Sequence, residues 1–268
     1  MTDASPLLQS LIYTAQRAGG AIMAVYATDF AVRDKADASP VTVADEAAEK
    51  IILADLAAIA PDVPVVAEES VAAGRVPVIF ESGRADRFFL VDPLDGTKEF
   101  VSRRDEFTVN VALIEGGQPV MGVVFAPARR ELYWGHVRAG KAGHIDADPD
   151  GTMTSMGTAI SARLPPAGGL TAVASRSHRS PETDVFLGKY PVSEFRSIGS
   201  SLKFCLVATG EADIYPRLGT TMEWDTAAGH AVLLAAGGSV TGLAGEPFTY
   251  GKPGFRNGHF LARGRQER

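Results

Sequence analysis

The spacing of apolar residues predicts two helices at the start of the chain. In the first, the apolar positions that share one face are Leu8, Leu11, Ile12, Ala15, Ala18, Ile22 and Val25. This spacing predicts an amphipathic helix packed on a core. The second helix is predicted from near Thr42, where Thr42 and Asp45 have the spacing of a capping pair, to Pro61. Its apolar face consists of Ala48, Ile52, Leu56 and Ile59.

Continuous apolar runs predict a sheet in the remainder of the first half. The segment "VPVVAEES" predicts a short strand that runs into two glutamates, and "RFFLVD" is too continuously apolar for an edge strand. Three more strand candidates, separated by turns that contain Gly or Pro, predict an antiparallel meander: "FTVNVALIEGG", "QPVMGVVFAP" and "RELYWGHVRAG". The polar segment from about residue 146 to 157 is predicted to be a junction or an exposed loop.

The second half alternates between strand and helix patterns. Its strand candidates are "GLTAVAS", "VSEFRSIG" and "EADIYPR", with "GSVTGL" and "GHFLAR" closing the chain. Its helix candidates are "SPETDVFLGKY", "SSLKFCLVATG" and "WDTAAGHAVLLAAGG". This alternation predicts an α/β layer.

Composition narrows the possible partners and the compartment. The net charge of −6 argues against binding to a nucleic-acid polymer, which depends on Lys and Arg. The single cysteine, Cys205, allows neither an intramolecular disulfide nor a cysteine-based zinc site, and it is predicted to be a buried apolar residue. No apolar run approaches the roughly 18 residues of a spanning helix. We therefore expect a cytoplasmic protein, with at most a loose association with the inner face of the membrane.

Four acidic residues stand at predicted strand ends or helix starts: Glu68, Asp92, Asp95 and Asp225. Carboxylates are hard oxygen ligands suited to Mg²⁺. A lone acid at such a place is more often a helix cap or a surface charge. The pair Asp92 and Asp95 is more specific, because Pro93 stiffens the turn between them and lets both point the same way. Gly96 is predicted to leave space for a phosphate near a helix N-terminus.

The segment "DPLDGTKEF", Asp92 to Phe100, resembles the signature of the inositol-monophosphatase-like superfamily of Mg²⁺-dependent, lithium-sensitive phosphatases. The resemblance covers nearly the whole chain and is closest to the bacterial CysQ type of 3′(2′),5′-bisphosphate nucleotidase. It implies an α+β fold, a layered αβαβα sandwich of the inositol monophosphatase and sugar phosphatase type. Residues 1–145 would form an N-terminal half with the antiparallel sheet and most metal ligands. Residues 146–268 would form an α/β half with the substrate-binding residues and the last ligand.

The same resemblance implies a role for each site residue. Glu68 would bind the first metal and take part in catalysis, with Glu69 the less favoured member of its pair. Metal ligands would also come from Asp92, the Leu94 carbonyl, Asp95 and Asp225. Thr97, with Asp45 behind it, would orient the attacking water. Two or three Mg²⁺ ions per site can activate that water and neutralise phosphate oxygens, so no protein nucleophile is needed.

Basic residues indicate which phosphate ester is bound. Lys98 stands where inositol monophosphatases commonly carry threonine and bisphosphate nucleotidases carry lysine. Arg217, two residues before Gly219, replaces a glutamate that contacts an inositol hydroxyl in those enzymes. A base there suits a second phosphate. The other predicted substrate contacts are Asp95, Gly96, Thr97, Arg176, His178, Gly199, Ser200, Lys203 and Asp225. For each base the alternative interpretation is a solvated surface charge.

The resemblance therefore predicts a hydrolase that removes the 3′-phosphate of adenosine 3′,5′-bisphosphate to give AMP in sulfate assimilation, with the sulfated nucleotide as a second substrate. The partner would be a small bisphosphorylated nucleotide, and the enzyme a monomer or homodimer. Inositol monophosphate, fructose 1,6-bisphosphate and histidinol phosphate are alternative substrates, and Lys98 and Arg217 argue most clearly against the first. A metal-binding module without turnover is a further alternative. The stretch "DADPDG" imitates the opening of an EF-hand, but no glutamate closes it.

Overall fold

Seven helices lie within the residues described by the computed structural model, which are 5–28, 32–34, 40–77, 85–149, 157–174 and 181–267. They are α1 (Pro6–Tyr26), α2 (Val43–Ile59), α3 (Glu68–Ala72), α4 (Thr97–Val101), α5 (Pro181–Leu187), α6 (Leu202–Ala208) and α7 (Trp224–Ala235). In this part of the chain, no helix is both long and apolar enough to cross a membrane.

The strands form two large sheets and two small ribbons. In the first half they are β1 (Val32–Asp34), β2 (Pro40–Thr42), β3 (Val65–Ala67), β4 (Arg87–Asp95), β5 (Thr108–Glu115), β6 (Gln118–Ala126), β7 (Glu131–His136) and β8 (Lys141–Asp146). In the second half they are β9 (Thr158–Ala159), β10 (Leu170–Ala174), β11 (Val192–Ser197), β12 (Ile214–Arg217), β13 (Thr221–Met222), β14 (Ser239–Thr241), β15 (Arg256–Asn257) and β16 (Phe260–Arg263).

The first large sheet has the strand order β3-β4-β5-β6-β7-β8-β9. β3 is parallel to β4, and every later pair is antiparallel. The predicted meander of β5, β6 and β7 is confirmed, and β4 is an interior strand as its apolar run indicated. β8 and β9, which the sequence pattern did not predict, extend the meander.

The second large sheet has the order β11-β10-β12-β16-β14. β10 is parallel to both β11 and β12, whereas β16 is antiparallel to β12 and β14. The predicted alternation of strands and helices is confirmed here, because α5 follows β10, α6 follows β11 and α7 follows the strands β12 and β13.

Side chains on opposite faces of β4 show how the layers are stacked. Phe89 points to the face covered by α1 and α2, where it shares a buried cluster with Leu11 and Ile52. Phe88 points to the other face and shares a cluster with Val232 of α7. Phe88 and Phe89 point to opposite faces because successive side chains in a β-strand alternate between the two faces of the sheet.

The remaining layers follow from the same clusters. The central helices α6 and α7 lie between the two sheets, since the cluster of Phe204 and Val232 also includes Val173 of β10 and Phe260 of β16. Leu187 of α5 packs against the outer face of the five-stranded sheet. The order is αβαβα, as predicted. The division after residue 145 stays a prediction, and one apolar cluster contains residues from both sides of it.

Most of the predicted core is buried, with one exception. The six residues Leu8 to Ile22 of the first apolar face are buried, and so are Ala48, Ile52 and Leu56 of the second. Ile59 is 38% exposed, so the predicted apolar face of α2 is buried only as far as Leu56. Ile59 is the last residue of α2, where the chain turns away toward Pro61. Cys205 is buried, as predicted.

Helix α7 approaches the backbones of β6 and β7 closely at two glycines. A Cβ added to Gly122 of β6 would come within 2.5 Å of the Ala228 carbonyl oxygen. One added to Gly135 of β7 would come within 2.7 Å of the Ala231 carbonyl oxygen. Because backbone atoms cannot give way, both positions need glycine, and they fix the distance from α7 to the sheet.

Candidate active site

The two acids of "DPLDG" are brought together by a β-bulge at the end of β4. Asp92 pairs with Asn110 of β5, and Asp95 pairs with Thr108, so three steps on β4 face two steps on β5. In a regular strand, residues three apart point to opposite faces, and the extra residue re-aims the side chain. Asp92 Oδ1 also accepts a hydrogen bond from the Leu94 N–H at 3.1 Å. This Asx turn closes the predicted turn around Pro93.

Gly96 connects the bulge to helix α4. Its φ of 93° is in the left-handed region that favours glycine, and a Cβ there would lie 3.2 Å from the Glu106 carbonyl oxygen. Thr97, the first residue of α4, donates from its hydroxyl to the Leu94 carbonyl at 3.3 Å. Backbone geometry alone therefore accounts for a glycine at position 96. The predicted contact of Gly96 with a phosphate stays a prediction. Lys98 is exposed in the first turn of α4.

The other predicted acids converge on Asp92 from three helices. Asp45 lies in the first turn of α2, Glu68 begins α3, and Asp225 lies in the first turn of α7. Burial raises the pKa of Asp92 well above its usual range, and the charges of four neighbours raise it further: Glu68, Asp95, Asp225 and Asp45. All five acids predicted from the sequence therefore contribute to one electrostatic cluster.

The pKa of Asp225 is also raised, first by burial and then by the charges of Asp95 and Glu68. Its Oδ2 accepts a hydrogen bond from the Met222 N–H at 2.8 Å. Carboxylates whose charges act on one another in this way repel, and a bound cation removes that penalty. The prediction that "VPVVAEES" is a short strand that runs into two glutamates is confirmed, since β3 ends at Ala67 and Glu68 begins α3.

The donor set suits a small hard cation. Carboxylates, the Leu94 carbonyl and the Thr97 hydroxyl offer only oxygen atoms, the ligands that Mg²⁺ prefers. No three His, Cys, Asp or Glu side chains of the described segments are grouped so that they could hold one ion by themselves. Mg²⁺ does not need three, because it is usually bound by one or two carboxylates together with water and phosphate oxygens. The residues present therefore fit Mg²⁺ ions that share the carboxylates.

Two predicted bases lie beside the acids. Lys203 is buried, its Nζ donates to the Ser200 carbonyl at 2.5 Å, and the ammonium lies 5.6 Å from the Tyr215 ring centre. Burial lowers the pKa of Lys203 to about 8, an effect that the charge of Asp95 opposes and that of Arg217 reinforces. The positive charge of Arg217 acts on Asp225 as well. The acidic cluster and these bases thus adjoin each other.

Arg217 offers unused hydrogen-bond donors. One guanidinium nitrogen, Nη2, donates to the Thr220 carbonyl at 3.2 Å. The Nε atom is buried and has no hydrogen-bond partner among the described residues. A buried donor of this kind usually has a partner in a native protein, and an anionic ligand is a natural one.

The other predicted substrate contacts are only partly described. Gly199 donates its N–H to Glu106 Oε2 at 2.9 Å, and Ser200 has a φ of 47°, which a non-glycine residue rarely adopts. Arg176 and His178 lie outside the described residues. Substrate contact at these four positions stays a prediction.

Sequence reasoning missed Glu49, which supports the start of α3. Glu49 Oε2 accepts from the Glu69 N–H at 2.8 Å, and Oε1 accepts from the Ser70 hydroxyl at 2.7 Å. The residue before α3 is Ala67, which has no side chain able to cap the helix. A carboxylate from α2 therefore fixes the turn that begins with Glu68. The available signal was its position, four residues after Asp45 on the same predicted helix.

Replacing Glu49 by Ala is expected to lower the free energy of unfolding by about 1–3 kcal/mol, because two buried donors lose their acceptor. The measurement is urea unfolding of the metal-free protein. Glu46→Ala is the matched control, since Glu46 is exposed on the same helix and its replacement should change stability by about 0.5 kcal/mol or less. Equal stabilities for the two variants would contradict the capping role.

Solved structures share this layered fold. CysQ from Bacteroides thetaiotaomicron, described as a bacterial member of the inositol monophosphatase family, superposes with a TM-score of 0.83 at 36% identity, covering 100% of both chains. An inositol monophosphatase from Thermotoga maritima has a TM-score of 0.74 at 23% identity, covering 96% of this chain and 91% of the other. The second likeness concerns the fold alone.

Sequence comparison defines the family. The model of the Inositol monophosphatase family matches residues 3–267. The 3′(2′),5′-bisphosphate nucleotidase CysQ of Salmonella typhimurium is 43% identical over 258 residues, which are 93% of this chain and 98% of that protein. The chain belongs to the inositol monophosphatase family, so the resemblance of "DPLDGTKEF" is confirmed.

Proposed function

We propose that the protein is a Mg²⁺-dependent 3′(2′),5′-bisphosphate nucleotidase that removes the 3′-phosphate of adenosine 3′,5′-bisphosphate to give AMP. The observation that carries this proposal is that two groups of charges adjoin each other. Buried and half-buried carboxylates surround Asp92, and the bases Lys203 and Arg217 interact with Asp95 and Asp225. One side suits metal ions, and the other suits a phosphate that is not cleaved. The nucleotidases of similar sequence and length support the same assignment.

The chain supplies ligands for two or three Mg²⁺ ions. Glu68, Asp92, the Leu94 carbonyl, Asp95 and Asp225 would hold them. Bound Mg²⁺ lowers the pKa of water, neutralises phosphate oxygens and stabilises a leaving alkoxide. The bulge of β4 orients two of these ligands, while α3 and α7 each bring one to the same place.

The chain's own contribution to the attack is to orient water. Thr97 donates its hydroxyl hydrogen to the Leu94 carbonyl, so its oxygen can still accept a hydrogen bond from a water molecule. Asp45, whose charge acts on Asp92 across the cluster, would stand behind it. A fixed acceptor on one side of the water directs its lone pair toward the phosphorus atom.

The second phosphate is assigned to the basic side. Arg217 has a buried Nε without a partner in the described residues, and a guanidinium binds phosphate oxygens with well-directed donors. Lys203 adds a buried positive charge that interacts with both Asp95 and Arg217. Inositol monophosphate has no second phosphate to use these groups, so it is a poor fit. The sulfated nucleotide would keep the contacts to its 3′-phosphate and remain a second substrate.

A role in sulfate assimilation, a cytoplasmic location, and a monomeric or homodimeric state complete the proposal. Its support is the 43% identity with the Salmonella nucleotidase over nearly the whole length of both chains. The net charge of −6 is unsuited to binding nucleic-acid polymers, so the proposed partner is a small nucleotide.

A phosphate-release panel with Mg²⁺ tests the proposed function. The substrates are adenosine 3′,5′-bisphosphate, inositol 1-phosphate, fructose 1,6-bisphosphate and histidinol phosphate, each with and without lithium. We expect the highest kcat/KM for the nucleotide and its inhibition by lithium. A clear preference for any of the other three would replace the substrate assignment. No Mg²⁺-dependent release from any of them would favour a metal-binding module.

A further inference from the structure

We propose that Ser201 is a positioning residue that ties Asp95 to Asp225 and so holds the ligands of the second Mg²⁺ ion in place before the ion binds. The inference rests on the proposed function and adds to it a residue that the proposal assigns neither to substrate nor to metal. Ser201 is 2% exposed and precedes α6 in the central layer.

The Ser201 hydroxyl lies between the two acids. Its Oγ is 2.7 Å from the backbone carbonyl oxygen of Asp225 and 3.1 Å from Oδ2 of Asp95. Asp95 is on β4 of the seven-stranded sheet, whereas Asp225 is on α7. One side chain therefore connects two elements that are far apart in the chain.

Asn110 determines the direction of the hydrogen bonds in this bridge. Its Nδ2, on β5, lies 3.0 Å from Ser201 Oγ and 3.5 Å from Asp95 Oδ2. An amide nitrogen can only donate, so the Ser201 oxygen accepts from Asn110 and directs its own hydrogen toward Asp225 or Asp95. Both residues are buried, with Asn110 1% and Ser201 2% exposed.

The bridge acts against electrostatic repulsion. The same Ser201 hydroxyl reaches Asp95 Oδ2 and the Asp225 carbonyl, so the two acidic residues are held near each other. Like charges repel, so without a cation the two carboxylates favour a wider separation. Hydrogen bonds to buried or charged groups of this kind are strong enough to oppose such a displacement. Groups that orient metal ligands from behind typically change metal affinity by about 10- to 100-fold when they are removed.

The test measures Mg²⁺ binding directly, by calorimetric titration of the full-length protein with Mg²⁺ alone. We expect Ser201→Ala to weaken Mg²⁺ binding about tenfold. In turnover assays, kcat should fall at limiting Mg²⁺ and recover at excess Mg²⁺, while KM for adenosine 3′,5′-bisphosphate stays unchanged. A merely structural role would not produce this recovery.

Thr171→Ala is the matched control. Thr171 is also buried, and its hydroxyl accepts from Arg163 at 3.2 Å in the five-stranded sheet. This variant should lower the unfolding midpoint without changing Mg²⁺ affinity. If Ser201→Ala does not fold, Asn110→Ala takes its place, since it removes the donor that orders the bridge, and it should weaken Mg²⁺ binding about threefold.

The outcomes separate the two proposals. If the parent protein binds Mg²⁺ and releases phosphate, but Ser201→Ala binds Mg²⁺ within twofold of the parent, the positioning role is overturned and the proposed function stands. If the parent neither binds Mg²⁺ nor releases phosphate, both are overturned. Weaker binding in Ser201→Ala, recovery at excess Mg²⁺ and unchanged affinity in Thr171→Ala support the positioning role.

Discussion

Replacing Asp92 by Asn is expected to reduce Mg²⁺-dependent phosphate release by at least about a thousandfold while the protein stays folded. Asp92 is 1% exposed, and the charges of four other acids act on it, so it is the central ligand of the proposed site. Metal ions supply several kcal/mol of transition-state stabilisation in phosphoryl transfer, and each 1.36 kcal/mol is a factor of about ten in rate. An amide is a neutral ligand and cannot replace that charge.

The raised pKa of Asp92 predicts the direction in which Asp92→Asn changes the stability of the protein. Burial and neighbouring charges raise the pKa of Asp92 in the folded protein. A carboxyl with a raised folded-state pKa costs stability when it ionises, so the metal-free protein should lose stability as the pH rises above the unfolded value of about 3.9. Asparagine has no such cost. Asp92→Asn should therefore be at least as stable as the parent at neutral pH without Mg²⁺.

The measurement combines phosphate release with thermal unfolding, with and without Mg²⁺. Asp55→Asn is the control, because Asp55 is a half-buried acid on α2 that accepts hydrogen bonds from Thr14 and Arg17 and is not one of the acids whose charges act on Asp92. That variant should keep its activity. Appreciable Mg²⁺-dependent turnover by folded Asp92→Asn would remove the metal assignment.

Replacing Arg217 by Ala is expected to raise KM for adenosine 3′,5′-bisphosphate by about 10- to 100-fold, which corresponds to the 1.5–3 kcal/mol of a hydrogen bond to a charged group. KM for adenosine 3′-monophosphate should change little. That substrate keeps the phosphate to be cleaved and lacks the second one, so it has no use for the buried Nε of Arg217.

The comparison of the two substrates also distinguishes the loss of a phosphate contact from an indirect effect of Arg217 on the acidic residues. The charge of Arg217 lowers the pKa values of Asp225 and Lys203, so its loss would disturb the metal side too. Such a disturbance affects both nucleotides equally, whereas loss of the second-phosphate contact affects only one. Arg196→Ala, which removes an exposed arginine paired with Glu194 and Glu211, should change neither KM. Equal increases for both nucleotides would remove the second-phosphate pocket.

The sequence predicted those parts of the site whose residues are contiguous or stand at the ends of elements. Asp92, Asp95 and Thr97 lie within one turn, and the apolar strand before them indicated where that turn would fall. Asp225 was recognisable at the start of a strongly apolar helix. The layers were predictable for the same reason, because periodic apolar residues select helix faces and strand faces locally.

The rest depends on contacts between distant residues. Ser201 lies 91 positions from Asn110 and 106 from Asp95, so nothing in its own segment indicates a bridge. Asn110 gave a faint signal as the one amide in the apolar run "VNVALI". The very short strands, such as Thr158–Ala159 and Thr221–Met222, form only because a neighbouring strand is already in place, and no local pattern marks them.

The contact of α7 with Gly122 and Gly135 links substitutions in the core to the geometry of the candidate site. Asp225 is carried by the first turn of this helix, while Asp92 and Asp95 belong to the sheet on which the helix rests. A single methyl group at either glycine would lift the helix and move Asp225 away from Asp92 and Asp95, the other two proposed ligands. The spacing of the proposed ligands is therefore set in the core of the protein, and a conservative substitution there is expected to reduce activity before it unfolds the protein.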